Sequence, residues 1–210
     1  MKQIATLLLF LLFSGFCVAQ PPELPLYGAS INVQGAYYKD LQDDLNRFVG
    51  EWKYEHVSDT LIIKIIKKEM QFIDYGYISV YEDFIVAEYR YIENGIEKIN
   101  TLSNLLINHS TPFKYNIVAN IIIKPVPNNP AVCPNCGPND VMVKGPFSDP
   151  ERDIFGYEPE VVLRHKIENG IEKIFLTMTI FGFKLPYADG TVSPYDFYNL
   201  PVGFYELIKQ

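Results

Sequence analysis

The chain contains 210 residues, of which 48% are hydrophobic and 20% are charged, and its formal net charge is −7. This composition excludes collagen-like, coiled-coil and disordered proteins, and the negative charge opposes binding to nucleic acid. The 14 Phe, 15 Tyr and single Trp, together with frequent Ile and Val, favour β-strands over helices.

The first nineteen residues have the pattern of a secretory signal peptide. A basic start at Lys2 precedes an apolar run over Ile4–Phe16, and small residues up to Ala19 form a cleavage pattern. Lipidation at Cys17 is the alternative, but Phe16 is not the small residue that normally precedes a lipidated cysteine. We therefore expect cleavage after Ala19, export to the periplasm or the extracellular space, and no transmembrane segment in the mature chain.

The mature chain begins with a Pro- and Gly-rich stretch and then a helical pattern. Residues 20–36 contain three prolines and two glycines, which predicts an extended leader outside the core. Within Asp40–Val49, apolar residues at positions 41, 45, 48 and 49 have helical spacing, and Gly50 suits the end of a helix. These patterns predict one short N-terminal helix.

From Trp52 onward the pattern becomes that of short strands. Alternating or β-branched segments predict about eight to ten strands at Trp52–Val57, Thr60–Lys68, Gln71–Val80, Phe84–Ile92, Ile96–Leu102, Asn116–Lys124, Val141–Lys144, Val161–Ile167, Ile171–Phe181 and Phe204–Lys209. The sequence therefore predicts a single all-β domain over residues 37–210. Such a meander forms either a sandwich or a barrel.

An octapeptide, Ile-Glu-Asn-Gly-Ile-Glu-Lys-Ile, occurs twice, at Ile92–Ile99 and at Ile167–Ile174. Its Asn-Gly pairs suit the two central positions of a type I′ turn, so each copy predicts a β-hairpin. The repeat has two possible origins: duplication of a half-domain, or independent convergence of two segments on the same favourable hairpin sequence.

The turn fixes the expected pairing of strands in both hairpins. In the second hairpin it places His165 opposite Ile174, Leu163 opposite Leu176 and Val161 opposite Met178, with apolar residues on one face of both strands. In the first hairpin the same register would place Arg90 opposite Ile99 and Glu88 opposite Thr101. Either Tyr89 and Tyr91 then define the inner face, or the interior is polar.

Motifs for chemistry are sparse. Cys133 and Cys136 lie in a Pro-rich loop, and we predict that they form a small disulfide. The alternative is a redox or metal-binding role for the pair. The sequence contains no nucleophile elbow, no zinc-protease motif and no phosphate-binding glycine loop. It therefore predicts no enzyme, no metal site and no cofactor.

The segment Leu45–Tyr54, with Gly50 and Trp52, resembles the opening of lipocalins, a short helix followed by Gly-x-Trp at the start of the first strand. In that family the Trp closes the barrel floor beneath an Arg of a late strand, whereas here the last strand offers only Lys209. Four further features, together with the signal pattern, are similar to small secreted proteins of Bacteroidetes-type bacteria that have no established activity: Phe48–Tyr54, Asp59–Ile63, the hairpin Glu93–Glu97 and the terminal Ile208–Gln210. These resemblances imply a lipocalin-like, antiparallel up-and-down β-barrel with the short helix across one end.

The function expected from this fold is non-enzymatic binding of a small apolar or amphipathic ligand in the barrel interior. Period-two alternation and the hairpin register predict that the interior is lined by Trp52, Tyr54, His56, Leu61, Ile63, Ile65, Leu163, His165, Leu176 and Met178. The alternative is an envelope or cell-surface interaction protein whose barrel is filled by its own side chains and takes no small ligand.

Overall fold

A computed structural model describes residues 20–28, 30–125, 136–137 and 140–210. Within these residues the chain forms twelve strands: β1 (Glu23–Pro25), β2 (Tyr37–Lys39), β3 (Gly50–His56), β4 (Asp59–Asp74), β5 (Ser79–Glu93), β6 (Ile96–Asn100), β7 (Ile117–Ala119), β8 (Ile121–Ile123), β9 (Val141–Pro146), β10 (Tyr157–Glu168), β11 (Ile171–Gly182) and β12 (Gly203–Lys209). The predicted all-β class is confirmed. The described ranges contain no helix that is both long enough and apolar enough to cross a bilayer.

Hydrogen bonds join the strands into one mixed sheet with the order β1-β2-β5-β4-β3-β12-β11-β10-β9-β8, while β6 and β7 each pair with β5 outside this path. The pairs β1–β2 and β2–β5 are parallel, and the other pairs are antiparallel. The predicted antiparallel up-and-down barrel is therefore wrong in its topology. The N-terminal strands add in parallel beside β5, and the described sheet is not closed into a barrel.

The predicted helix over Asp40–Val49 is also wrong. Only Leu45–Phe48 form a 3-10 turn, and Leu41, placed on the expected apolar face, is 55% exposed. The Asp40 carboxylate accepts hydrogen bonds from the backbone N–H groups of Asp44 and Leu45, at 3.0 and 2.8 Å. Asp43 has a φ of 53°, outside the helical range. The side chain of Asp40 thus holds the backbone in a tight turn that a regular helix would break.

Both Asn-Gly hairpins form as predicted. Asn94 and Asn169 have φ values of 51° and 52°, and the glycine after each is also at positive φ, as a type I′ turn requires. In the second hairpin the predicted pairs Leu163–Leu176 and His165–Ile174 are confirmed.

The first hairpin departs from the simple register. A bulge between Tyr91 and Ile92 shifts the pairing, so that Tyr91 faces Ile99 and Arg90 faces Asn100. Tyr91 is 3% exposed, and Tyr89 is fully buried. The expectation that Tyr89 and Tyr91 define the inner face is confirmed, because the extra residue of a bulge changes which side chains share a face.

The main core fills the inner face of the sheet. It combines alternate residues of β3, β4, β5, β10, β11 and β12 with Leu45 and Phe48 from the 3-10 turn. Trp52 is fully buried, and its indole Nε1–H donates to the carbonyl of Phe48 over 2.7 Å. One end of the inner face is therefore covered by the 3-10 turn and this indole.

A second core lies on the other face of β5. It consists of Ala36, Tyr38, Ile73, Ile78, Val80, Phe84, Val86, Tyr115 and Val118. Leu24, Leu26 and Ile31 of the Pro-rich leader pack against it, so the expectation that residues 20–36 lie outside the core is wrong. The sheet buries apolar residues on both faces of β5, and the leader is the cover for the outer face.

A buried ion cluster fixes β2 and the turn after it to β4 and β5. The Lys67 ammonium lies 3.5 Å from Asp40, 3.9 Å from Asp83 and 3.4 Å from Glu69. The side chains of Lys67, Asp40 and Asp83 are only 10%, 1% and 1% exposed. Asp83 also accepts a 2.5 Å hydrogen bond from the Tyr37 hydroxyl of β2.

Gly145 of β9 lies against the backbone of β7. A Cβ added at Gly145 would lie 2.0 Å from the Val118 carbonyl oxygen and 2.8 Å from the Ala119 Cα, both backbone atoms that cannot rotate away. We expect Gly145→Ala to lower the free energy of unfolding by about 1–3 kcal/mol through overpacking, measured by urea unfolding. Gly203→Ala, whose nearest neighbour is 3.7 Å away, should change it by less than about 0.5 kcal/mol. Equal effects at the two glycines would contradict this account.

Candidate functional site

The structure places most of the predicted interior residues in the main core. Seven are at most 2% exposed, namely Trp52, Leu61, Ile63, Ile65, Leu163, Leu176 and Met178. Tyr54 is partly buried at the edge of that core. The prediction is wrong for His56, which is exposed because it ends β3, paired with Asp59 at the hairpin turn.

These seven side chains are packed against protein atoms. A side chain that borders an empty space large enough for water keeps accessible area toward it, and these side chains keep almost none. All seven belong to one continuous core cluster. They therefore stabilise the sheet, and a site that can accept a ligand has to be sought elsewhere.

His165 is the polar member of the predicted interior set, and it is 8% exposed. Its ring meets the edges of Phe48 and Trp52 at centroid distances of 6.1 and 6.2 Å. Burial lowers the pKa of His165 below its ordinary value, against the opposing charge of Glu172. Among the described residues its Nε2 has no hydrogen-bond partner. The imidazole of His165 lies at the Trp52 end of the core.

A pocket of about 460 Å³ lies at the opposite end of the sheet. In β12, Lys209 pairs with Trp52 at one end, whereas Gly203 pairs with Met178 at the other, and the pocket adjoins this second end. Its lining residues are Glu93, Lys98, Arg152, Ile180, Phe197, Tyr198, Asn199, Leu200, Pro201 and Val202. A volume of this size is within the range of small-molecule sites.

The loop 197–202 that forms one wall is held in place by buried anchors. The backbone N–H of Asn199 donates to the Asp149 carboxylate over 2.7 Å, and both side chains are buried. Tyr198 packs edge-on against Phe147 at 5.9 Å, and the Tyr205 hydroxyl donates to the carbonyl of Pro201 over 2.7 Å. These contacts give the pocket a preformed apolar wall.

Arg152 places a positively charged guanidinium at the pocket. Its Nη1 donates to the carbonyl of Phe197 over 2.9 Å, and its guanidinium lies 5.2 Å over the Tyr195 ring. Within the described part of the chain, Arg152 forms no ion pair, whereas Lys98 is paired with Glu93 at 3.2 Å. Because a guanidinium has five N–H donors, Arg152 keeps donors for an incoming anionic group.

The chain segment that contributes loop 197–202 to the pocket also carries many exposed apolar side chains. From the last residues of β11 to the first residues of β12, the exposed apolar side chains are Phe181, Phe183, Leu185, Val192, Tyr195, Phe197, Val202 and Phe204. Sequence analysis missed this site because residues 183–202 follow no strand or helix period. The available signal was a segment rich in aromatic residues, Pro and Gly that is apolar without being periodic.

The predicted disulfide stays a prediction. Cys133 lies outside the described residues, as does the predicted signal peptide. The Cys136 Sγ accepts a 3.8 Å contact from Nη1 of Arg164 on the outer face of β10.

Comparison with known proteins assigns the chain to a family whose function is unknown. The whole chain, residues 1–210, matches the model of a family of unknown function, DUF6705, and the protein belongs to that family. No curated protein matches it, and no solved structure does.

Proposed function

We propose that this family member is a non-enzymatic binding protein whose pocket at loop 197–202 takes a small amphipathic ligand with one anionic group. One observation carries the proposal. Arg152, with unused N–H donors and no ion-pair partner among the described residues, faces a preformed pocket of about 460 Å³ with apolar walls.

The two kinds of lining group suit two parts of one ligand. Ile180, Phe197, Leu200 and Val202 provide apolar surface, where burial of a hydrocarbon body is favourable. The guanidinium of Arg152 matches a carboxylate or another planar anion, since it can donate two parallel hydrogen bonds. The ligand is expected in this pocket and not in the core interior, because the interior side chains are packed against one another.

We also propose that the sheet curls in a lipocalin-like way around its main core. The support is that β7 pairs with β5 while β8 pairs with β9, and only Asn120 separates β7 from β8. Lys209 adds to this support, since its ammonium lies 5.3 Å over the Trp52 ring, in the role that the lipocalin resemblance gives to an Arg. Export through the N-terminal signal pattern is part of the same proposal.

A second candidate function is an envelope or surface protein that binds a larger partner and no small ligand. The packed interior and the exposed aromatic side chains of residues 181–204 favour it. The two candidates differ in whether a small anionic amphiphile binds at all.

Titration with dansyl-undecanoate, a fluorescent fatty acid, tests the leading proposal. We expect saturable binding that Arg152→Ala weakens by about 10–100-fold, because a hydrogen-bonded charge pair is worth about 1.5–3 kcal/mol. Lys64→Ala removes the same charge from a side chain that pairs with Glu51 in β3, far from the pocket, and should leave binding unchanged. Absence of binding, or equal loss in both variants, would favour the second candidate.

A further inference from the structure

The strand β6 leaves one of its edges unpaired. Within the described residues, β6 (Ile96–Asn100) hydrogen-bonds to β5 and to no other strand. A strand paired on one side presents alternate N–H and C=O groups on the other side. This edge can therefore accept an additional strand.

Two pockets lie between β6 and the 150–152 turn, and we call them together the β6 groove. The pocket described above has Lys98 on one side and Arg152 on the other. A second pocket of about 430 Å³ has Ile99 and Asn100 on one side and Pro150 and Glu151 on the other. Consecutive residues of β6 thus line the same two pockets as consecutive residues of the 150–152 turn.

We infer that this groove binds an extended peptide, which adds to β6 as a strand and places its C-terminal carboxylate at Arg152. The inference rests on the proposed function, since it assigns the anionic group of the ligand to a peptide terminus. Because β6 runs from the Arg152 pocket toward the second pocket, a peptide with its carboxylate at Arg152 runs antiparallel to β6. Antiparallel pairing is the slightly more stable arrangement.

The lining of the second pocket favours a peptide over a fatty acid. Its residues are mostly polar and include Asn100, Thr101, Ser103, Asn104 and Asn116. A hydrocarbon chain extending from Arg152 into this region would gain no hydrogen bonds, whereas peptide groups pair with both the strand edge and polar side chains. Apolar side chains near the peptide terminus would then occupy the first pocket.

The short, charged character of β6 disfavours a second copy of the chain as the occupant. β6 has five residues, and Glu97 and Lys98 lie at its centre. Charges on a short edge strand are a common protection against pairing with identical edges.

Fluorescence anisotropy with a labelled pentapeptide of Val and Thr residues ending in Phe provides the test. We expect binding to the purified full-length protein, a loss of about tenfold or more when the carboxylate is amidated, and no further loss when Arg152→Ala is combined with the amide. N-methylation of the peptide at alternate positions should abolish binding and at intervening positions should preserve it, because only every second N–H faces β6.

The outcomes separate this inference from the proposed function. If dansyl-undecanoate binds and the peptide does not, or if N-methylation has the same effect at every position, strand addition is refuted and the proposed function stands. If neither probe binds, both fail. A dimeric free protein whose cross-links map to β6 would assign the edge to a second copy and would also overturn the inference.

Discussion

Replacing Trp52 by Ala is expected to lower the free energy of unfolding by about 3–5 kcal/mol, the range for removing a buried aromatic side chain. Trp52 is fully buried, donates a 2.7 Å hydrogen bond to the carbonyl of Phe48 and packs edge-on against His165. Its loss leaves a cavity and an unsatisfied carbonyl where the 3-10 turn covers the sheet.

Urea unfolding followed by far-ultraviolet circular dichroism measures this effect. Lys64→Ala is the matched control, since Lys64 lies on the adjacent strand and its side chain is 44% exposed in an ion pair with Glu51. An exposed pair contributes about 0–1 kcal/mol, so this control should be nearly neutral. A loss at Trp52 below 1 kcal/mol would show that the core does not depend on the indole.

Lys67→Met is expected to destabilise the fold by about 3–5 kcal/mol, because it leaves the buried carboxylates of Asp40 and Asp83 without their cation. Met keeps most of the length of the Lys stem, so the effect reports the charge more than the volume. Lys64→Met is the matched control on the same strand, with an exposed ammonium.

The pH dependence of Lys67 supplies a second readout. Burial lowers the pKa of Lys67, but the charges of Asp40, Asp83 and Glu69 outweigh burial and raise it above its ordinary value. The stability that Lys67 contributes is therefore present below the pKa of an unfolded lysine and is lost as the pH rises through the folded pKa. The difference between the natural protein and Lys67→Met should shrink in strong alkali. A difference that stays constant there would contradict the ion-cluster account.

The features that sequence analysis predicted are those fixed by neighbouring residues. Asn169-Gly170 dictates a two-residue turn, and the turn sets the pairing of Leu163 with Leu176 and of Val161 with Met178. The alternation in β4 likewise fixed the burial of Leu61, Ile63 and Ile65. In each case the pairing or the burial can be predicted from a two-residue turn or from an alternation of period two.

The features that it missed depend on distant residues or on local exceptions. Leu41 has helical spacing, but the side chain of Asp40 takes the backbone N–H groups and ends the pattern. The bulge after Tyr91 has no marker in the octapeptide, since the second copy has none. The pocket joins Arg152 to loop 197–202, which are brought together only by tertiary contacts with Asp149 and Tyr205.

The position of β12 has a consequence for how fast the chain can fold. This strand lies between β3 and β11, so its pairing connects the N-terminal third of the chain to its last residues. Hairpins such as β10–β11 can form early from local contacts, whereas β3 can pair with β12 only when two segments far apart in the sequence have met. Sheets dominated by such distant pairings fold in milliseconds to seconds. Until then, the edges of β3 and β11 remain open to pairing with other chains.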